Sequence, residues 1–185
     1  MKKIIALALS LIMLLGCVSA LAEAAEKETI TMVGFSIKVD KLPEDYKLYI
    51  IRNSEIEYFA NLVPSDGSKP ILSMSLVFSD EWDGVNSLAD ATEEDMQSVK
   101  DSFYEVLELD DGDIIFEDRL VGEGMPILIA RGADGCFASV YAIYNSHEIE
   151  LVIYPGEDGG SVTEEDISRA ADFMTDILTQ MSSAE

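Results

Sequence analysis

Four short apolar runs, Ile114–Val121, Met125–Arg131, Cys136–Tyr144 and Glu148–Tyr154, follow one another closely and lead into a long amphipathic stretch. No other part of the chain restricts the fold as much. The runs are separated by Gly122-Glu123-Gly124, Gly132-Ala133-Asp134-Gly135 and Asn145-Ser146-His147. Connections this short allow only antiparallel pairing of consecutive strands, because a parallel pair needs a long crossover. The stretch after Thr163-Glu164-Glu165-Asp166 carries Ile167, Ala170, Ala171, Met174, Ile177, Leu178 and Met181. Their i, i+3, i+4, i+7 spacing predicts a helix with one apolar face. A meander and a helix that each own an apolar face bury those faces together.

Upstream, Thr29–Val33 and Phe35–Val39 alternate polar and apolar residues about Gly34, and Leu42-Pro43-Glu44-Asp45-Tyr46 closes the second run. Ile56, Tyr58, Ala60 and Leu62 then alternate with polar neighbours, and Pro64-Ser65-Asp66-Gly67-Ser68 supplies a turn. The return run from Ile71 to Phe78 sets Leu72, Met74, Leu76 and Phe78 on one face and Ser73 and Ser75 on the other. An acidic loop, Ser79–Ala91, holds the single tryptophan, Trp82. Thr92-Glu93-Glu94-Asp95 reads as a helix start: the threonine side chain accepts from free backbone N–H groups, and the acids complement the positive helix end. Met96, Val99, Phe103, Val106 and Leu107 mark that helix's buried stripe, and Asp110-Asp111-Gly112-Asp113 stops it. The fold class is α+β, with a central antiparallel sheet flanked by helices.

The start of the chain reads as an export signal. Lys2 and Lys3 precede an apolar Ile4–Leu15, and Ala20-Leu21-Ala22 is a small-x-small cleavage site. The apolar segment falls short of the ~20 residues a membrane-spanning helix needs. Residues 1–22 are therefore expected to be a signal peptide, 23–28 a polar leader, 29–181 a single domain and 182–185 a tail, with the mature protein extracytoplasmic. A second processing route is open. Leu14-Leu15-Gly16-Cys17 resembles a bacterial lipobox, which would lipidate Cys17 and anchor the domain to the cell envelope without spanning it.

The formal net charge is −24, and it becomes more negative once Lys2 and Lys3 are removed. Nucleic acid and anionic lipid surfaces repel such a domain, so the expected partner is a protein or a small molecule. Membrane contact is expected only through the N-terminal anchor. With Cys17 outside the domain, Cys136 has no intramolecular disulfide partner and reads as a small hydrophobe within a strand. His147, the only histidine, falls in a turn beside Ser146 and reads as solvated. Without a G-x-S-x-G elbow, a phosphate-cradling glycine loop or a zinc ligand set, no catalytic residue can be nominated.

Two sets of residues remain as candidates. Asp110, Asp111 and Asp113 resemble part of a calcium loop but lack its terminal glutamate, so calcium is the one cofactor considered. Trp82, with Phe78 ahead of it, could line a ligand groove or else cap the edge of the core.

Gly34-Phe35-Ser36-Ile37-Lys38-Val39 running into Leu42-Pro43-Glu44-Asp45-Tyr46 resembles the opening of PsbP-like domains. The strand pair, middle helix, meander and C-terminal helix follow in that family's order, so the resemblance covers roughly Thr29 to Met181. This chain departs from the pattern by inserting Asp40-Lys41 before Leu42-Pro43. The resemblance implies an α/β/α sandwich, a fold shared with a Ran-binding nuclear import factor, and a binding or accessory role in a bacterial exported protein. It carries over no catalytic residues. The expectation is thus an exported, non-catalytic binding or accessory domain. The alternatives are a calcium-responsive structural domain of the cell envelope and, more remotely, a carboxylate-dependent hydrolase.

Overall fold

The structure is a computed structural model that describes residues 29–32, 35–38, 46–64, 71–110, 112–155 and 160–182. The segments expected to be signal and leader, Cys17, Gly34, most of the PsbP-like opening and Asp111 lie outside the described residues.

Among the described residues nine strands, two α-helices and a short 3-10 turn at Asp80–Trp82 are formed. β1 (Thr29–Met32) and β2 (Phe35–Lys38) make a small antiparallel hairpin, with Met32 opposite Phe35. The main sheet contains β3 (Tyr46–Asn53), β4 (Glu57–Pro64), β5 (Ile71–Phe78), β6 (Ile114–Val121), β7 (Met125–Gly132), β8 (Ala138–Tyr144) and β9 (His147–Tyr154). Their order across the sheet is β3-β4-β5-β9-β8-β7-β6, antiparallel throughout. Helix α1 (Glu93–Leu107) and helix α2 (Glu164–Ser182) complete the fold, which is α+β as expected. Among the described residues neither helix is long and apolar enough to cross a membrane.

The meander forms with nearly the boundaries its apolar runs imply, because each turn has the chemistry it needs. Asn145 and Ser146 both take positive φ, 44° and 65°, the pair of conformations that closes a two-residue hairpin in step with strand twist. His147 is consequently the first residue of β9 rather than part of the turn. Both helices start on the same reciprocal cap. Asp95 N–H donates to Thr92 Oγ1 at 3.2 Å while Thr92 N–H donates to the Asp95 carboxylate at 3.1 Å. Thr163 and Asp166 repeat the exchange at 3.3 and 3.0 Å. Such boxes satisfy backbone donors that the first helical turn leaves open. α1 ends where Glu108 adopts a left-handed conformation and Leu109 N–H returns to the Tyr104 carbonyl.

β3 is not anticipated by the sequence pattern. A register shift between Ile50 and Arg52 breaks its alternation, so the period-2 signal lasts only through Leu48 and Ile50. Ile56, which the alternation of β4 places inward, instead lies in the β3–β4 turn and is 49 % exposed.

Two apolar layers enclose the sheet. On one face, all seven anticipated α2 residues from Ile167 to Met181 pack against Leu48, Tyr58, Leu62, Met74, Leu151 and their neighbours, and β2 runs alongside α2. Burial of each large side chain there is worth about 1.5–3 kcal/mol. On the other face Val99 and Phe103 of α1, with Trp82 and Leu88, cover Leu128, Ala130, Tyr141 and Ile143 of β7 and β8. Phe59 and Val152 are buried but belong to neither cluster.

Candidate functional site

β9 sets two chemistries on its two sides. Ile149, Leu151 and Ile153 face α2, while Glu148, Glu150 and Val152 face the α1 side. Cross-strand register extends the second set into ladders of mainly polar residues: Phe59, Ser75, Glu150 and Tyr141 lie in one row, and Asn61, Ser73, Val152 and Ser139 in the next. Glu148 and Glu150 are almost fully buried, at 8 % and 3 % exposure, and each accepts hydrogen bonds. Trp82 Nε1–H donates to Glu148 Oε1 at 2.9 Å, and the Tyr141 hydroxyl donates to Oε2 at 3.2 Å. Ser139 Oγ donates to Glu150 Oε1 at 2.8 Å. Burial, and next the Glu148 carboxylate, push the Tyr141 phenol well above its ordinary range; burial, then Glu150, does the same to Tyr154. A buried carboxylate needs such donors to offset the water it has lost. Through Glu148 the cluster ties the Trp82 segment to the sheet.

This assigns Trp82 to the core. It is 1 % exposed, so it caps the α1-side cluster and is not available to line an open groove. Phe78 lies on the opposite face of the sheet, its ring tilted against His147 with centroids 5.2 Å apart, and the two aromatics do not converge. The acidic loop around Trp82 is pinned down. Ser79 N–H donates to the Ser146 carbonyl, Asn145 and Ser146 donate to the carbonyls of Asn86 and Val85, and Ser146 Oγ donates to the Trp82 carbonyl.

His147 also differs from its expected state. It is buried at the start of β9, and Nδ1 lies 2.7 Å from the Asn145 carbonyl oxygen. Cys136 departs in the opposite sense. It sits in the exposed turn before β8, because β8 begins only at Ala138. Its N–H donates to Asp134 Oδ1 at 2.9 Å. Partial burial, with the Asp134 carboxylate beside it, pushes the thiol up to about 11, so it remains a poor nucleophile near neutrality. The hydrogen bonds from Cys136 hold the Asp134 carboxyl below its ordinary range.

Of the calcium candidates, Asp110 and Asp113 are exposed in the α1–β6 turn, and the Asp113 carboxylate accepts the Asp110 N–H at 3.0 Å. Among the described residues no group of three or more His, Cys, Asp or Glu side chains gathers as a metal site.

Among the described residues two open clefts lie along β6, the outermost strand beyond β7. A cleft of about 290 Å³ on its α2 side is lined by Ile115, Arg131, Gly135, Phe137, Val162 and Glu164. A second, of about 250 Å³, is bordered by Leu88, Met96, Asp118, Leu120 and Pro126. The first is edged by an ion network. Arg119 donates to Glu117 at 2.8 Å and approaches Glu164 at 3.8 Å, while Arg131 bonds Glu164 from the adjacent strand. The β6 register explains this grouping, since Ile115 lies opposite Arg131 and Arg119 opposite Ile127. Exposed Leu120 and Ile115 stand on opposite faces of the same strand, at 69 % and 44 %. Pattern reading missed both the buried glutamates and this margin. The signal for the glutamates was present, as two acids at alternate positions inside an otherwise apolar strand. The margin carried none, because outermost position in a sheet follows from strand order.

Comparison of the chain with protein-family models, curated proteins and solved structures finds no match.

Proposed function

We propose that this chain is an exported, non-catalytic binding or accessory domain that makes its contacts at the β6 margin. The observation that carries the reading is an outermost strand with exposed Leu120 and Ile115, bordered by a cleft on either side. Apolar side chains on an uncovered strand edge are a liability unless something pairs with them. The basic n-region, apolar segment and small-residue site at the chain start support export, with Cys17 as the lipidation point on the lipobox route. The antiparallel sheet between two helices agrees in class with what a PsbP-like domain implies, and the finer family assignment remains part of this proposal.

Amide hydrogen exchange on the protein with and without extracytoplasmic extract of its source cell tests the reading. Added protection concentrated in Ile114–Val121 and reduced by Leu120→Lys is the expected result. Turnover of an ester, glycoside or peptide substrate that disappears with Glu148→Gln or Glu164→Gln, leaving the fold intact, overturns it.

A further inference from the structure

β6 reads nearly the same in both directions. About Asp118, the order is Ile115-Phe116-Glu117, then Arg119-Leu120-Val121: two apolar residues and an acid mirrored by a base and two apolar residues. We propose that the partner of the β6 margin is a second copy of this chain, joined by antiparallel β6–β6 pairing about a two-fold axis through Asp118. The inference rests on the reading of β6 as a contact margin and goes beyond it by naming the occupant and the register.

Backbone geometry limits the choices. In an antiparallel ladder, residues opposite each other both turn their N–H and C=O groups toward the partner or both turn them away. A strand pairing with its own copy must therefore be centred on a residue, never between two. In β6 the central choices are Glu117 and Asp118. Centring on Glu117 sets Phe116 against Asp118 and Ile115 against Arg119. Centring on Asp118 sets Phe116 against Leu120, Ile115 against Val121, and Glu117 against Arg119. Only the second register pairs acid with base and leaves no apolar side chain opposite a charge, the arrangement that stabilises a sheet. It also brings a neighbour to Leu120 and Ile115, two of the three large apolar side chains most exposed among the described residues.

Arg119 already bonds Glu117, two residues before it on the same face of β6. Pairing would add the other copy's Glu117 on the same face, so the charges alternate around the axis. With the axis perpendicular to the sheet, the two sheets run on as one, with α1 of both copies on one side and α2 on the other. Isologous contacts of this kind close after two copies and do not propagate. The register also has a defined weak point, since the two Asp118 carboxylates face each other on the axis. Like charges directly opposite destabilise a pair, so removing them tightens it by up to about five-fold.

Sedimentation equilibrium over micromolar to millimolar protein, with circular dichroism to confirm the fold, tests the proposal on residues outside the buried core. The wild type is expected to populate dimer. Arg119→Glu is expected to be monomeric, the double variant Glu117→Arg/Arg119→Glu to regain the dimer, and Asp118→Asn to strengthen it. Asp118→Cys is expected to form a disulfide-linked dimer on air oxidation beyond any seen with the wild type, because paired Cα atoms lie within disulfide reach. A wild type that stays monomeric at millimolar concentration overturns self-pairing, as does a dimer indifferent to Arg119→Glu. A dimer tightened by Glu117→Gln and not by Asp118→Asn overturns the register. If the chain is monomeric yet extract still protects β6 from exchange, the contact margin stands and the second copy falls. If neither occurs, both fall.

Discussion

Both faces of the sheet hold buried residues, but they are built from different chemistry. Against α2 the strands present an apolar layer, from Leu48 and Leu62 through Met74 and Leu151 to Ile129. Against the α1 side the same strands present Ser73, Ser75, Ser139, Glu148 and Glu150, with an indole, a phenol and a hydroxyl aimed at the two carboxylates. The first layer is non-directional and tolerates small shifts. The second depends on hydrogen-bond geometry, since a buried donor or acceptor that loses its partner costs more than the bond was worth. Burial of a residue therefore does not by itself set its tolerance of substitution.

Substitutions can break or sharpen this contrast. Trp82→Ala is expected to cost most, about 3–5 kcal/mol from lost packing, and it also takes a donor from Glu148. Urea denaturation measures this, and a loss below that of an exposed control would place Trp82 outside the core. Leu151→Ala, on the apolar face of the same strand, should cost about 2–5 kcal/mol, the spread reflecting how far the cavity closes. Glu148→Leu removes the acceptor from both Trp82 Nε1 and Tyr141 Oη, at about 1–3 kcal/mol for each donor left without a partner. If Glu148→Leu were neutral while Leu151→Ala was not, the polar side would be no more demanding than the apolar one.

The helix starts make a smaller comparison. Thr92→Ala and Thr163→Ala should each cost about 0.5–2 kcal/mol, because both boxes have the same geometry. Unequal losses would show that one helix depends on tertiary packing more than its cap.

The smallest effect is on pH dependence. The Cys136 thiol, ordinarily near 9, is pushed up to about 11, so the unfolded chain releases this proton first as pH rises. Its contribution to stability is complete below pH 9 and is lost as pH rises toward 11. Buried Tyr141 and half-buried Tyr154 act in the same direction at more alkaline pH. Thiolate absorbance measured against pH should have its midpoint near 11, and Asp134→Asn should lower it by removing the adjacent negative charge. A midpoint at the ordinary value would mean that Cys136 is free of its surroundings.

Most of the secondary structure was legible because its signals are local. The α2 stripe lies on one helical face whatever it packs against, and the Thr-x-x-Asp boxes bond within a single turn. The alternation of Leu72, Met74, Leu76 and Phe78 against Ser73 and Ser75 needs only the pleat. The pattern loses β3 where the bulge shifts its phase, and it misplaces Ile56 because a turn interrupts the alternation there. The misreadings of His147 and Cys136 share a cause: each sits beside a strand boundary, and a shift of one or two residues exchanges inside for outside.

The sequence by itself determined the antiparallel meander, the two capped helices, the acidic surface and the export-like start. Each follows from residue chemistry within a few positions along the chain. Only the tertiary structure decided that β5 pairs with β9, that Trp82 turns inward to a glutamate on that strand, and that β6 is left outermost. These depend on which distant segments become neighbours, and the physical reason is pairing. A strand's own pattern fixes which of its faces is apolar, but whether its edge meets another strand or open solvent is set by the order in which the whole sheet assembles.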